Sequence, residues 1–211
     1  MGNGLVAFEP SCLLVYRIGK PASLWQVRKP ARGPRSNRFD DPQGNYGVLY
    51  ACSTRLGCFV ETLQNLIRFH AFEAGSDDSG SPETVMNAWL ATATIGTARI
   101  DGAFANICDS FWLETVRAGI LPPDNDLQGV TYLDAAVMQS TNRRLTQQAS
   151  RLVHARPDHA GIRYRSRFGH EIENWAIFDN KAIEIVNPGE AVNDDDPDLH
   201  TAVRLLRNCL I

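Results

Sequence analysis

Five side chains in this sequence have types and settings suited to chemistry on an anionic substrate: Arg17, Arg38, Tyr50, Glu61 and Ser166. Arg17 closes the apolar run "CLLVYR", and Arg38 lies in "SNRFDDPQGN", a stretch of turn formers. Tyr50 ends "GVLY", Glu61 falls inside "CFVETL", and Ser166 ends "GIRYRS". Guanidinium groups take phosphate oxygens through bidentate, charge-assisted hydrogen bonds that lysine cannot reproduce. A carboxylate in apolar surroundings can stabilise an oxocarbenium-like transition state, or orient or deprotonate a nucleophile. Tyr50 can stack on a ring or donate its hydroxyl, and Ser166 can hold a ribose hydroxyl or a phosphate oxygen. Together they suit a phosphate-bearing substrate that develops positive charge. Each also has a plainer reading. Both arginines can pair with surface carboxylates, Tyr50 can be core packing, and Ser166 alone says little. Glu61 is evenly balanced, because Phe59, Val60, Leu63 and Leu66 are apolar while Thr62, Gln64 and Asn65 give the same helix a polar face.

The elements that must position these residues follow from periodicity and breakers. "CLLVYRI" and "GVLYA" read as strands separated by an extended loop over 28–46. Ser53 or Thr54 can cap a helix running to about Phe69, with Leu56, Phe59, Val60, Leu63, Leu66 and Ile67 inward. After a solvent loop at 74–83, "AWLATATI" and "ARID" read as two strands joined tightly at Gly96–Thr97, and 104–120 as a helix. From Thr131 the spacing predicts a longer helix with Leu133, Val137, Thr141, Leu145, Ala149 and Leu152 inward, and Arg143, Arg144, Gln147 and Gln148 outward. "AGIRYRS", "NWAIFD" and "AIEIV" read as strands, and Asp196 can cap a final helix from Pro197. The expected fold is one α+β domain over 1–211, with a core over about 11–187 and a C-terminal helix over about 197–209. It has small mixed or antiparallel sheets and flanking helices.

Composition narrows the function classes. The 211 residues are 44% hydrophobic and 21% charged, with a net charge of -3, the balance of a globular protein. An acidic pI near 5.9 does not advertise nucleic acid or a membrane surface as partner. Arg28, Lys29, Arg32, Arg35 and Arg38 do form a basic stretch, but it lacks interleaved aromatics, so direct nucleic-acid binding is not expected. Five scattered cysteines without zinc or CxxC spacing fit a reducing cytoplasm. No signal-peptide pattern stands at the N-terminus and no apolar run reaches about 18 residues. No metal site is expected: His170, Glu171 and Glu173 lack a second histidine at helical spacing and read as a polar turn. Cys58 reads as buried packing, and P-loop, GxGxxG, GxSxG and HExxH motifs are absent.

The ordered set "VYRIG", "NRFDDPQGNYGVLYA", "CFVETL", "RRLTQQ", "GIRYRSRFG" and "ENWAIFD" resembles the RES domain, a family named for an arginine, a glutamate and a serine. Residue by residue, those match Arg38, Glu61 and Ser166; the family's first-strand arginine matches Arg17 and its strand-end tyrosine matches Tyr50. The resemblance implies a fold related to ADP-ribosyltransferases and an enzyme that consumes NAD⁺ as substrate, with no prosthetic group. Such proteins cleave the nicotinamide–ribose bond by phosphorolysis, with inorganic phosphate as co-substrate, or by hydrolysis. Others transfer ADP-ribose to a protein. Family members are often toxins neutralised by an Xre-like antitoxin. Arg17 and Arg38 would then grip the pyrophosphate, Tyr50 pack on the nucleotide, Glu61 act on the cation or nucleophile, and Ser166 hold ribose or phosphate. The loop at 74–83 and the segment 104–130 are additions that can serve as lid, antitoxin dock or homo-oligomer contact, or be inert. A non-catalytic nucleotide- or nucleic-acid-binding module is the reading from another class.

Overall fold

A computed structural model describes residues 7–8, 12–27, 29, 37–73, 82–120, 133–140, 142–179 and 182–208. Arg28, Arg32 and Arg35 of the basic stretch, positions 74–81 of the expected loop, the segment 121–132, Thr141 and Cys209 lie outside the described residues, as does the side chain of His170.

The strands are β1 (Ala7–Phe8), β2 (Leu13–Gly19), β3 (Val48–Cys52), β4 (Thr94–Ile100), β5 (Ala103–Asn106), β6 (His159–Ser166), β7 (Gly169–Phe178) and β8 (Ile183–Ala191). They form one sheet in the order β1-β5-β6-β7-β3-β2-β4-β8. Neighbours are antiparallel except β5 and β6, which run parallel. The α+β expectation therefore holds, with the mixed pairing gathered into one sheet. The helices are α1 (Arg55–Glu73), α2 (Pro82–Leu90), α3 (Ser110–Ile120), α4 (Ala135–Gln139), α5 (Arg143–His154) and α6 (Pro197–Asn208). Among the described residues no helix is long and apolar enough to cross a membrane.

Alternation along the central strands divides the core. Leu49, Ala51, Trp175 and Ile177 point to one face, where Leu24 and Trp25 from the segment after β2 cover them. The opposite face carries two separate helical groups. Val48, Ala176 and Phe178 pack with Trp112 and Val116 of α3 and Leu145, Ala149 and Val153 of α5. Cys52 and Ile172 pack with Phe59, Val60 and Leu63 of α1 and Leu199, Ala202 and Leu206 of α6. Two helical groups on one sheet face leave a valley between them. The candidate site lies there.

Local signals explain most element ends. Thr54 Oγ1 accepts from Gly57 N at 3.0 Å at the start of α1, and Asp196 Oδ1 accepts from Asp198 N at 2.9 Å at the start of α6. Five expectations are corrected. The helix read from Thr131 is two helices, because Asp134 caps α4 and Asn142 caps a fresh start at α5. Gln147, expected outward, is buried with Thr146 and Ser150, since all three bind backbone of the loop before β3. "AWL" closes α2, with Met86, Trp89 and Leu90 at helical spacing against the α1 group, so the strand begins only at Thr94. Gly96 is no turn but mid-strand: a Cβ there would stand 2.7 Å from Asn187 O, so glycine permits the close approach of β8. The segment expected as a helix over 104–120 opens instead with strand β5, whose Phe104 packs with Trp175 and Ile177 on the face covered by Leu24 and Trp25.

Candidate active site

Helix α1 carries two stripes. Phe59, Val60 and Leu63 enter the core, while Cys58, Glu61, Thr62 and Asn65, spaced i, i+3, i+4 and i+7, line the valley. Glu61 is thus neither a core residue nor part of the outer surface. It faces a cleft of about 500 Å³ whose other walls come from β2, β3, β6, β7, the loop at 37–38 and the first residue of α5.

Arg17 reaches this cleft where the sheet opens. The register joins β2 to β3 at Tyr16↔Cys52, and one residue on, the Arg17 guanidinium bridges to the Tyr50 carbonyl of β3 while its Nε donates to Leu24 O at 2.6 Å. Burial lowers its pKa from the ordinary arginine value, yet an arginine remains charged. Two of about five N–H donors are committed to these carbonyls, leaving the others for a ligand.

Arg38 is positioned by the loop that the turn formers build. Asp41 accepts from Gln43 N at 3.1 Å and Asn45 N at 2.7 Å, and Gly44 takes a φ of 71°. Helix α5 fastens the same loop. Thr146 Oγ1 donates to Arg38 O at 2.7 Å, Gln147 Nε2 to Asn37 O at 3.1 Å, and Ser150 Oγ to Phe39 O at 2.6 Å. The Arg38 side chain donates to Gln139 O at 3.1 Å and lies over the Tyr164 ring, 5.6 Å from its centre. Tyr50 lines the cleft with its ring. Its hydroxyl is already engaged, donating to Asp40 Oδ1 and accepting from Phe39 N, both at 2.9 Å. Burial, then the neighbouring Asp40 charge, pushes that phenol well above its ordinary pKa.

Glu61 is oriented from the sheet. Asn174 Nδ2 donates to Glu61 Oε1 at 2.9 Å, and Asn174 Oδ1 accepts from Cys52 Sγ at 3.0 Å. A carboxylate only accepts, so the Asn174 NH₂ must face Glu61 and its oxygen must face the thiol. Contact with Cys58 and burial raise the Cys52 pKa well above its ordinary value, which keeps it a neutral donor. Asn174 is 0% exposed and held at both ends.

Arg17, Arg38, Tyr50 and Glu61 therefore share one cleft, as the sequence expected. Ser166 is not brought to it. It is 2% exposed and its Oγ accepts from Phe168 N at 3.1 Å, fixing the β6–β7 turn whose Arg167 lines the cleft. Lining residues to which the sequence gave no role include Gln64, Trp89, Arg143, Tyr164, Arg167 and Asn174. Arg143 had a signal, since a cation in the first turn opposes the helix dipole unless an anion is to be bound there. Asn174 had none, because its role depends on a strand pairing of distant segments. Among the described residues Arg17, Arg38 and Arg143 make no ion pair. Glu173, weighed as part of a metal set, instead pairs with Arg163 and Arg165.

Such a fold and cleft define an α+β protein in which several guanidinium groups and one oriented carboxylate line a single cleft. The family model of the RES domain matches residues 14–201, and the chain belongs to that family. Its fold is similar to a chain of the M. tuberculosis MbcT–MbcA toxin–antitoxin complex, at 12% identity and a TM-score of 0.51, covering 86% of this chain and 88% of that one. No curated protein matches it by sequence.

Proposed function

We propose that this protein cleaves the nicotinamide–ribose bond of NAD⁺. The observation that carries the reading is the cleft that gathers Arg17, Arg38 and Arg143, without carboxylate partners among the described residues, beside the single oriented carboxylate of Glu61. A pyrophosphate supplies the missing negative charge, and guanidinium groups match its oxygens. Tyr50 and Tyr164 line the same cleft, where aromatic rings can pack on the nucleoside halves. In the reaction the C1″–N1 bond breaks and its electron pair goes to the ring nitrogen, so nicotinamide leaves neutral. The positive charge that develops at C1″ faces Glu61. An oxygen of inorganic phosphate or of water then bonds to C1″, and with water the released proton passes to the carboxylate. Ser166 contributes by fixing the turn that presents Arg167. NAD⁺ is substrate, not a resident cofactor.

Family membership and the likeness to a chain of a toxin–antitoxin complex support a toxin role in the cytoplasm, with an Xre-like antitoxin as protein partner. The test is NAD⁺ incubated with purified protein, with and without inorganic phosphate, products resolved by mass. ADP-ribose-1″-phosphate formed only with phosphate identifies a phosphorylase, and free ADP-ribose in both a hydrolase. Intact NAD⁺ that disappears only on adding a protein acceptor identifies an ADP-ribosyltransferase. Glu61→Ala and Arg38→Ala each lower the rate by at least about 10²–10³-fold. Wild-type turnover by either folded variant sinks the assignment.

A further inference from the structure

The amide of Gln64 has no role in the site as described so far. It lies one helical turn after Glu61, lines the same cleft, and is 7% exposed, yet its Oε1 has no hydrogen-bond partner among the described residues. A buried amide oxygen left unpaired costs stability, and a turn of the amide on a side chain that lines the cleft offers it a ligand donor. The half-buried indole of Trp89 from α2, which packs against the α1 group, lines the same cleft. Thr62 and Asn65, nearby on α1, are neutral and line the cleft as well.

We infer that Gln64 and Trp89 form the subsite for a planar, cationic, carboxamide-bearing ring, with the Gln64 amide pairing with the carboxamide. The inference rests on the proposed NAD⁺ reaction and names which wall takes the leaving group. Whichever way its amide is turned, Gln64 offers one donor and one acceptor, the complement of another primary amide. Residues three apart on a helix place their Cβ atoms about 5–6 Å from one another. That spacing lets Glu61 address the anomeric carbon while Gln64 addresses the substituent across the ring. The indole face attracts the ring while it is a cation and holds it less once bond cleavage makes it neutral, which favours release. A carboxylate in place of the carboxamide offers acceptors alone, so one of its oxygens would face the Gln64 oxygen without a proton between them. The subsite therefore selects amide over acid.

The test compares kcat/KM for NAD⁺ and for its nicotinic acid counterpart, using wild type and Gln64→Leu, with nicotinamide and nicotinate also titrated into the wild type by calorimetry. The wild type prefers the amide substrate by about 10²-fold or more, because a site built for a hydrogen-bond donor rejects an analogue that lacks it. Gln64→Leu brings the preference to within about tenfold of unity, mainly through KM. Nicotinamide binds the wild type and nicotinate does not. Equal use of both dinucleotides by the wild type, or an unchanged preference in folded Gln64→Leu, overturns the inference. Nicotinamide binding without any NAD⁺ consumption supports the subsite and overturns the reaction instead. Absence of both removes the two together.

Discussion

Asn174 offers the sharpest test of how Glu61 works, because it touches that carboxylate from a buried strand. Its amide donates to Glu61 at 2.9 Å and is itself held by Cys52 at 3.0 Å. A hydrogen bond to a charged group contributes about 1.5–3 kcal/mol. Each 1.36 kcal/mol is tenfold in rate, so Asn174→Leu, which keeps the branched shape, lowers kcat/KM by roughly 10- to 150-fold if the bond must hold Glu61 in the transition state. Asn174→Asp changes only the donor and makes a sharper claim. Two carboxylates then meet, the pair retains one proton to higher pH, and the acid limb of the pH–rate profile moves upward by about 1–3 units. Activity in that variant therefore recovers as pH rises, whereas Asn174→Leu stays slow throughout. The assay is NAD⁺ consumption by purified variants over about pH 5.5–9, with circular dichroism confirming the fold. A wild-type rate and a wild-type profile for Asn174→Asp would refute the reasoning.

Two further outcomes concern the stability of the fold around the site. Ser150→Ala strips a donor from Phe39 O and the partner of the buried Tyr46 hydroxyl, 2.8 Å away, at a cost of about 1–3 kcal/mol. Thermal unfolding reads this as a Tm lower by about 2–4 °C per kcal/mol, and KM for NAD⁺ rises as the Arg38 loop loosens; an unchanged Tm contradicts the clamp. Burial raises the folded-state pKa of Tyr46, Tyr50 and Tyr164 above that of the unfolded chain. Their contribution to stability is whole below about pH 10, the unfolded value, and declines as pH rises toward the folded values, by about 1.4 kcal/mol per unit for each tyrosine. Urea unfolding at stepped alkaline pH shows this decline, and Tyr50→Phe reduces its slope by roughly a third; an unaltered slope places that hydroxyl in water.

The sequence made the strands legible wherever one side chain pattern had one reading. "CLLVYRI" and "GVLYA" are apolar runs bounded by breakers, and both are strands within a residue of the expected limits. The failures share a cause, which is that composition reports burial before it reports conformation. "AWL" is apolar because Trp89 and Leu90 pack against the α1 group, and nothing in three residues distinguishes a helix end from a strand start. Gly96 looked like a turn because the reason for glycine there, the carbonyl of Asn187, is 91 positions away in the chain. Gln147 looked solvated because its partner, Asn37 O, belongs to a loop that only the folded chain brings beside α5.

The site was legible in a different way. Arg17, Arg38, Tyr50 and Glu61 were picked out by type and by their places at strand and helix ends, and they line one cleft. What the sequence withheld was division of labour among them. Tyr50 was expected to use its hydroxyl or its ring, and the structure commits the hydroxyl to Asp40 and Phe39, leaving the ring. Ser166 was expected at the substrate, and the structure engages it in the turn beside Arg167. Both hydroxyls stabilise the walls on which guanidinium groups are mounted. Rigid walls matter here because charged side chains gain most from a substrate when their geometry is set in advance. Arg17 is held by two carbonyls and Arg38 by one carbonyl and a ring face, so each keeps further donors at the cleft, and no carboxylate among the described residues neutralises it. Unneutralised charge is costly to a fold and useful to a binding site. Under the proposed function, an anion received by the cleft accounts for buried polar residues such as Asn174, Thr146 and Ser150 placed around that charge.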